Sequence, residues 1–226
     1  MPVRRCLILV GLALFGAGCA DQREPTAVQA PPAADPHFLR WAGPVPPQFS
    51  AVGAFSSPTF NGGFQAYLSS GISLDQYTAT FWAVHGQDRS VEINYVDSTG
   101  QIISRFLQLA NVDPAYVPGR GYLAPGDSVL ITVSVDRYTV KVSFEPTGLL
   151  FDDPAELQIS YGGADGDLNG DGVVDDSDAY IESQLLGIWY REGADAEWTR
   201  ISASQSLWNK SVTSALAHFS EYAVSW

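Results

Sequence analysis

The most constraining feature of this chain is an alternation of apolar and polar residues with a period of two. It is clearest in the segments 77–83, 91–95 and 129–135, which are rich in Val, Ile, Thr and aromatic residues. Successive side chains of a β-strand point to opposite faces, so the pattern predicts strands with one buried face. Many short strands without alternating helices favour an all-β fold, namely an antiparallel β-sandwich.

Turn-forming residues separate the alternating segments. Glycine and asparagine tolerate positive φ, and proline fixes φ, so clusters of these residues mark the ends of strands. Only the segment 177–184 has a pattern that predicts a helix, and we therefore expect at most one short helix. The predicted turns are Asn61-Gly62-Gly63, His85-Gly86-Gln87-Asp88, Asp97-Ser98-Thr99-Gly100, Pro118-Gly119 and Pro125-Gly126-Asp127.

A short acidic segment, residues 167–178, carries oxygen-bearing residues at regular spacing around Gly172. Calcium takes oxygen ligands, and a twelve-residue loop can supply them from positions 1, 3, 5, 7, 9 and 12, with glycine at position 6 for the sharp turn. The segment therefore predicts a Ca²⁺ site inserted in the sandwich. Its ligands would be Asp167, Asn169, Asp171, the main-chain carbonyl of Val173, Asp175 and Asp178.

This loop resembles the calcium loop of EF-hands and, with Asp178 at the last position, the calcium repeats of dockerin modules. The resemblance covers these residues alone, and the segment 157–161 before them predicts a strand instead of an entering helix. A complete EF-hand and docking to a cohesin are therefore not expected. Two interpretations stay open: a fixed structural ion, since a sensor needs a helix pair that opens, or an acidic turn that is merely solvated.

The N-terminus indicates the compartment. Arg4 and Arg5 precede an apolar run at 6–15, as in a secretory signal peptide, here residues 1–18. The sequence Gly16-Ala17-Gly18-Cys19 resembles the lipobox of bacterial lipoproteins. That resemblance implies a lipidated Cys19, a membrane as partner, and transit to the outer membrane or cell surface. A soluble secreted protein is the alternative.

The segment 19–47 is rich in Pro and Ala and predicts a semi-extended tether, which leaves residues 48–226 for the β-sandwich region. The two cysteines of the chain are Cys6 and Cys19, so the mature domain would contain no disulfide. The net charge of −13 argues against nucleic acid as a partner, because contacts to phosphate depend on Lys and Arg.

The second half of the chain, about residues 128–226, carries a further resemblance. Its motifs are Gly126-Asp127-Ser128 before an alternating strand, Phe144-Glu145-Pro146-Thr147-Gly148-Leu149-Leu150-Phe151, Ile188-Trp189-Tyr190-Arg191-Glu192 and the ending His218-Phe219-Ser220-Glu221-Tyr222-Ala223-Val224. They resemble the ZU-type β-sandwich domain of ankyrins, netrin receptors and bacterial surface proteins. The resemblance implies binding or scaffolding, with the acidic loop as an insertion between two neighbouring strands.

Some ZU-type relatives cleave themselves at His-Phe-Ser, and this tripeptide is present here at 218–220. The resemblance would make Ser220 the nucleophile and His218 the base for a cut after Phe219. The alternative interpretation is that Phe219 packs in the core beside a hydrogen-bonded His218.

The expected function is that of a cell-envelope lipoprotein, not an enzyme, which uses a calcium-binding sandwich to bind an unknown protein or glycan partner. Aromatic residues raise the alternative of a secreted carbohydrate-binding module, since sugars stack on exposed rings. The plainer expectation for Trp82, Trp189, Trp198 and Trp208 is packing in the core or on a sheet face.

Overall fold

The computed structural model describes residues 36–43, 47–56, 66–69, 73–75 and 77–226, and gives only the backbone of 54–56, 66–69 and 73–75. The chain divides into two units, Met1–Ala34 and Asp35–Trp226, and the described residues belong to the second. The signal peptide, Cys19, most of the tether and the turn at 61–63 lie outside the described residues.

The described residues confirm an all-β fold built of two antiparallel sheets. The strands are β1 Gln48–Ser56, β2 Ala66–Ser69, β3 Ser73–Asp75, β4 Thr78–Val84, β5 Arg89–Val96, β6 Ile102–Ala110, β7 Pro114–Val117, β8 Gly121–Tyr122, β9 Ser128–Val135, β10 Lys141–Glu145, β11 Leu150–Ser160, β12 Gly187–Arg191, β13 Thr199–Ile201, β14 Ser204–Ser206, β15 Ser211–His218 and β16 Glu221–Ser225. A short helix α1, Asp176–Tyr180, continues into a π-helical turn, Ile181–Leu185.

Sheet 1 has the strand order β14-β15-β11-β6-β5-β1-β2, and β7 pairs with both β11 and β8. Sheet 2 has the order β13-β12-β16-β10-β9-β4-β3. The predicted strands at 77–83, 91–95 and 129–135 correspond to β4, β5 and β9, and the predicted short helix corresponds to α1 with the π-helical turn.

The core consists of the inward residues of these strands, as the alternation predicts. In β4, for example, Ala79, Phe81 and Ala83 are buried while Trp82 is exposed. The alternation breaks in β5, where Asn94 is buried between Ile93 and Tyr95 because the register with β6 shifts after Ile93. A β-bulge of this kind redirects side chains that would otherwise alternate.

The segment 36–43, which the sequence assigns to the tether, is part of the folded unit. Phe38, Arg40 and Trp41 form isolated antiparallel bridges with Ser225, Thr139 and Ala164. Trp41 is buried, as is its neighbour Leu39. The folded unit therefore begins before residue 48, because these aromatic and aliphatic side chains enter the core.

Asp136, in the connection from β9 to β10, forms a hydrogen bond with Trp41 of this docked segment. Its carbonyl accepts a bond from Trp41 Nε1 at 2.8 Å, and its carboxylate accepts bonds from the N–H groups of Tyr138 and Thr139, both at 2.8 Å. Burial by itself would raise the pKa of Asp136, but the two backbone bonds to its carboxylate, the Thr139 hydroxyl and the nearby Lys141 together lower it.

We expect acid to weaken the fold partly through Asp136. Because the pKa in the folded state lies below the unfolded value of about 3.9, the contribution of this carboxylate is complete above that value. It is lost as the pH falls through the folded pKa. The melting temperature of Asp136→Asn should therefore fall less steeply than that of the wild type below about pH 4. A series of thermal melts with the exposed Asp153→Asn as control checks this, and parallel curves for all three proteins would contradict it.

Candidate metal-binding loop

The acidic loop lies in the connection from β11 to β12, and its last three residues, 176–178, begin α1. The strand that precedes it is β11, as the pattern at 157–161 predicts, so no entering helix is present. β11 and β12 follow each other in sequence but belong to opposite sheets. The expectation of an insertion between neighbouring strands is therefore corrected: the loop lies in a connection that passes from one sheet to the other.

The loop closes around the carboxylate of Asp167. Its Oδ1 accepts the N–H groups of Gly170 and Asp171 at 2.8 and 3.1 Å, and its Oδ2 accepts that of Gly172 at 2.7 Å. Gly172 has a φ of +91°, a left-handed conformation that favours glycine. The sharp turn predicted at this glycine is thus present.

Asp178 closes the other end of the loop. Its Oδ1 accepts the N–H groups of Leu168 and Asn169 at 2.7 and 3.1 Å, and its Oδ2 accepts that of Asp175 at 2.9 Å. The bond from Asp175 is the largest cause that lowers the pKa of Asp178. Asp175 in turn caps α1 by accepting the N–H of Ser177 at 2.7 Å. This reciprocal arrangement is a capping box, so Asp178 has a structural role in addition to its predicted role as a ligand.

The remaining predicted ligands lie along the outer side of the loop. Asp171 and Val173 are exposed, and Asn169 is half-buried. Asn169 Oδ1 accepts the N–H of Asp171, and Asp171 Oδ1 accepts the N–H of Val173, both at 2.9 Å. These hydrogen bonds hold the side chains of Asn169 and Asp171 against the backbone of the loop.

The predicted ligands offer only oxygen atoms, and oxygen is the donor that suits Ca²⁺. Their carboxylates are nevertheless less convergent than one other group in the described residues. That group is His85, Asp113 and Asp152, whose ligand atoms all lie within 4.8 Å of one another. The reason is that the loop carboxylates turn towards backbone N–H groups of the loop itself.

The loop is tied to the N-terminal segment of the folded unit. Asp165 donates its N–H to the carbonyl of Arg40 at 2.8 Å. Trp226 donates its Nε1–H to the carbonyl of Leu168 at 3.1 Å, and its ring stacks on that of His37 with centroids 4.4 Å apart. Residues 36–40 and 167–170 together line a cleft of about 500 Å³. The loop is therefore positioned where the N-terminal segment joins the sandwich.

Sequence reasoning missed the group formed by His85, Asp113 and Asp152. His85 follows β4, Asp113 precedes β7, and Asp152 lies in β11. No local spacing links these positions, since strand pairing brings them together. The only signal in the sequence was that both residue types, His and Asp, bind metals.

The tripeptide His218-Phe219-Ser220 consists of the last residue of β15 and the two residues that connect it to β16. Nδ1 of His218 is 3.2 Å from the carbonyl oxygen of Phe219, which also accepts the N–H of Gly148 at 2.8 Å. The hydroxyl of Ser220 donates to the carbonyl of Arg191. His218 thus contacts the carbonyl of the bond that would be cut, whereas the proton of Ser220 is directed to Arg191 and not to His218.

The tryptophans differ in their exposure. Trp208, in the turn between β14 and β15, is 94% exposed, so the expectation that it packs is wrong. Trp82 lies on the outer face of sheet 2 and is 57% exposed. Trp198 packs at a steep angle against Phe38 and lies beneath the guanidinium of Arg191. Trp82 thus lies on a strand of sheet 2, whereas Trp208 lies in a turn between two strands of sheet 1.

No protein-family model matches the chain, and no curated protein shows a significant similarity to it. Within the described residues, no helix combines the length and the apolar character that crossing a bilayer requires.

Proposed function

We propose that this protein is a non-catalytic, calcium-binding β-sandwich of the bacterial cell envelope that serves binding or assembly. Residues 1–18 would be a signal peptide, and the lipidated Cys19 would anchor the protein in the outer membrane or at the cell surface. The partner would be a protein or a glycan. The observation that carries the proposal is the closure of loop 167–178 around the Asp167 carboxylate by three backbone N–H groups.

The donor set supports calcium over softer metals. The side chains of the loop offer carboxylate and amide oxygens, and Val173 adds a main-chain carbonyl, so nitrogen and sulfur ligands are not involved. A bound Ca²⁺ would supply positive charge that offsets the crowded aspartates. The residues of the chain provide the frame, because Asp178 and Asp175 fix the end of the loop to α1.

The position of the loop supports a role at the junction with the tether. Arg40 and His37 of the N-terminal segment contact the loop region directly or through Trp226. Any free energy of binding to the folded loop adds to the free energy of folding. Calcium would therefore stabilise the docking of residues 36–41 on the sandwich. The resemblance of residues 128–226 to ZU-type domains supports a binding role.

Calcium is expected to raise the melting temperature of the mature domain, residues 20–226. With a dissociation constant of about 0.1 mM, typical of extracellular modules, 10 mM calcium would add about 2.7 kcal/mol. That corresponds to an increase of about 5 to 10 °C for a domain of this size. Magnesium should have little effect, because it demands a smaller octahedral site and loses its waters reluctantly. Thermal melts in calcium, in magnesium and in chelator measure the difference.

Three variants separate metal binding from loop structure. Asp171→Ala should abolish the calcium effect, whereas Asp176→Asn, which removes an equal charge outside the ligand positions, should keep it. Asp178→Ala should lower the melting temperature even in chelator, because three backbone N–H groups lose their acceptor. A calcium shift of the same size in Asp171→Ala, or no shift in the wild type, would refute the calcium site.

A further inference from the structure

The second group of metal-ligating residues is built by three distant parts of the chain. Nδ1 of His85 lies 3.2 Å from Oδ1 of Asp113, and the ligand atoms of Asp152 complete a set within 4.8 Å. The side chains of His85 and Asp113 are mostly buried, with 16% and 18% of their surface exposed, while Asp152 is exposed. The group thus has two ligands fixed in the fold and one that is exposed to solvent.

The backbone holds these residues in place. The N–H of His85 donates to the carbonyl of Asp127 at 2.9 Å, and the carbonyl of His85 accepts the N–H of Gly126 at 3.0 Å. Asp152 donates its N–H to the carbonyl of Asp113 at 3.1 Å. Each ligand-bearing residue is therefore tied to a neighbouring segment, so the group does not depend on a mobile loop.

The Asp113 carboxylate is oriented by two contacts. Its Oδ1 accepts the N–H of Gly86 at 2.8 Å and lies 3.2 Å from His85 Nδ1. Within residues 77–226, both of these contacts end on Oδ1, so neither of them occupies Oδ2.

We propose that His85, Asp113 and Asp152 form a site for a divalent transition metal ion, best suited to Zn²⁺, that links the β4–β5 turn, the β6–β7 connection and β11. One imidazole and two carboxylates are a ligand set that zinc accepts, with water in the fourth position. Neighbouring ligands around tetrahedral zinc lie about 3.4 Å apart, so a set whose atoms lie within 4.8 Å of one another needs an inward adjustment. The exposed Asp152 can supply it by a change of rotamer.

This site is separate from the calcium loop. Asp152 and Ser160 lie near opposite ends of β11, eight residues apart in sequence, which corresponds to roughly 26 Å along an extended strand. The acidic loop begins only after Ser160. The nitrogen ligand also distinguishes the two sites, because imidazole favours zinc and similar ions whereas calcium takes oxygen. The proposal therefore goes beyond the calcium function and does not depend on it.

Calorimetric titration of the metal-free purified protein with Zn²⁺ in the presence of calcium tests the proposal. The expected result is one zinc ion per chain, with affinity reduced by more than about 100-fold in Asp152→Asn, because loss of a direct ligand costs more than loss of an outer-shell partner. Asp153→Asn removes the same charge from the adjacent position of β11 and should bind zinc as the wild type does. His85→Asn should also lose binding, and circular dichroism establishes that each variant is folded.

Asp171→Ala is a further control, because it alters the calcium loop alone and should leave zinc binding unchanged. The proposal is overturned if the wild type takes up no zinc, if Asp152→Asn and Asp153→Asn bind it equally well, or if only Asp171→Ala loses it. Asp152 is exposed, so its replacement by asparagine tests the site without removing a buried group.

Discussion

Replacing Trp41 with alanine is expected to lower the free energy of unfolding by about 3 to 5 kcal/mol, as for other buried tryptophans. The indole is 5% exposed and packs edge-on against the rings of Phe49, Tyr95 and Phe106, the last with centroids 5.3 Å apart. Its Nε1–H also donates to the carbonyl of Asp136. The substitution leaves a large cavity and an unpaired carbonyl, and chemical denaturation measures the loss.

Arg40→Ala is the matched control, because Arg40 is the preceding residue and its side chain is exposed. The alanine variant keeps the backbone hydrogen bond with Asp165. Its free energy of unfolding should differ from that of the wild type by less than about 0.5 kcal/mol. Two truncated chains test the contribution of the whole segment 36–43 to stability. A chain that begins at residue 36 should keep the stability of the longer protein, whereas one that begins at residue 44 should lose as much as Trp41→Ala or more. Equal stability of both truncated chains would show that the segment 36–43 is dispensable.

The central strands could be predicted from the sequence, whereas the docking of Trp41 could not. In β4 and β9 the alternation places Phe81 and Ile131 on the inner face, and both are buried. This works because the period of a strand is fixed by local geometry. Trp41, in contrast, lies among prolines without any periodicity, and its burial depends on a pocket formed by β1, β5 and β6. Composition alone assigns such a segment to a tether.

The two candidate sites differ in the same way. All predicted ligands of the acidic loop lie within twelve residues, so spacing alone is enough to propose them. The roles of Asp175 and Asp178 as caps are also local, and an Asp at the N-cap with an acid three residues later is a recognisable signal. His85, Asp113 and Asp152 are brought together only by the pairing of β7 with β11 and by the turn after β4. Their proximity requires the three-dimensional fold.

Sheet topology also explains how the loop can matter to the whole unit. β11 lies inside sheet 1, between β15 and β6, and β12 lies inside sheet 2, between β13 and β16. The segment between them therefore connects two interior strands of opposite sheets. Closing this connection costs conformational entropy, and ordering the loop costs more, so the hydrogen bonds of the loop and any bound ion must offset that cost. A bound ion would act on this connection.

Phe219→Ala is expected to lower the free energy of unfolding by about 3 to 5 kcal/mol, which tests the interpretation that Phe219 packs in the core. Phe219 is fully buried, stacks on Phe144 with centroids 5.0 Å apart and meets Phe151 edge-on at 4.9 Å. Ser220→Ala removes only a hydroxyl bonded to the Arg191 carbonyl and should cost about 1 to 2 kcal/mol. Denaturant titrations of both variants give these values.

The mass of the wild-type chain tests self-cleavage directly. β16 pairs with β12 on one side and with β10 on the other, so residues 220–226 would stay bound in sheet 2 even after a cut. The mass must therefore be measured under denaturing conditions. Because the Ser220 hydroxyl is directed to Arg191 and not to His218, we expect an uncut chain that ends at Trp226 in the wild type and in Ser220→Ala alike. A species that lacks residues 220–226 in the wild type, and is absent from Ser220→Ala, would identify the tripeptide as a cleavage site instead of a core anchor.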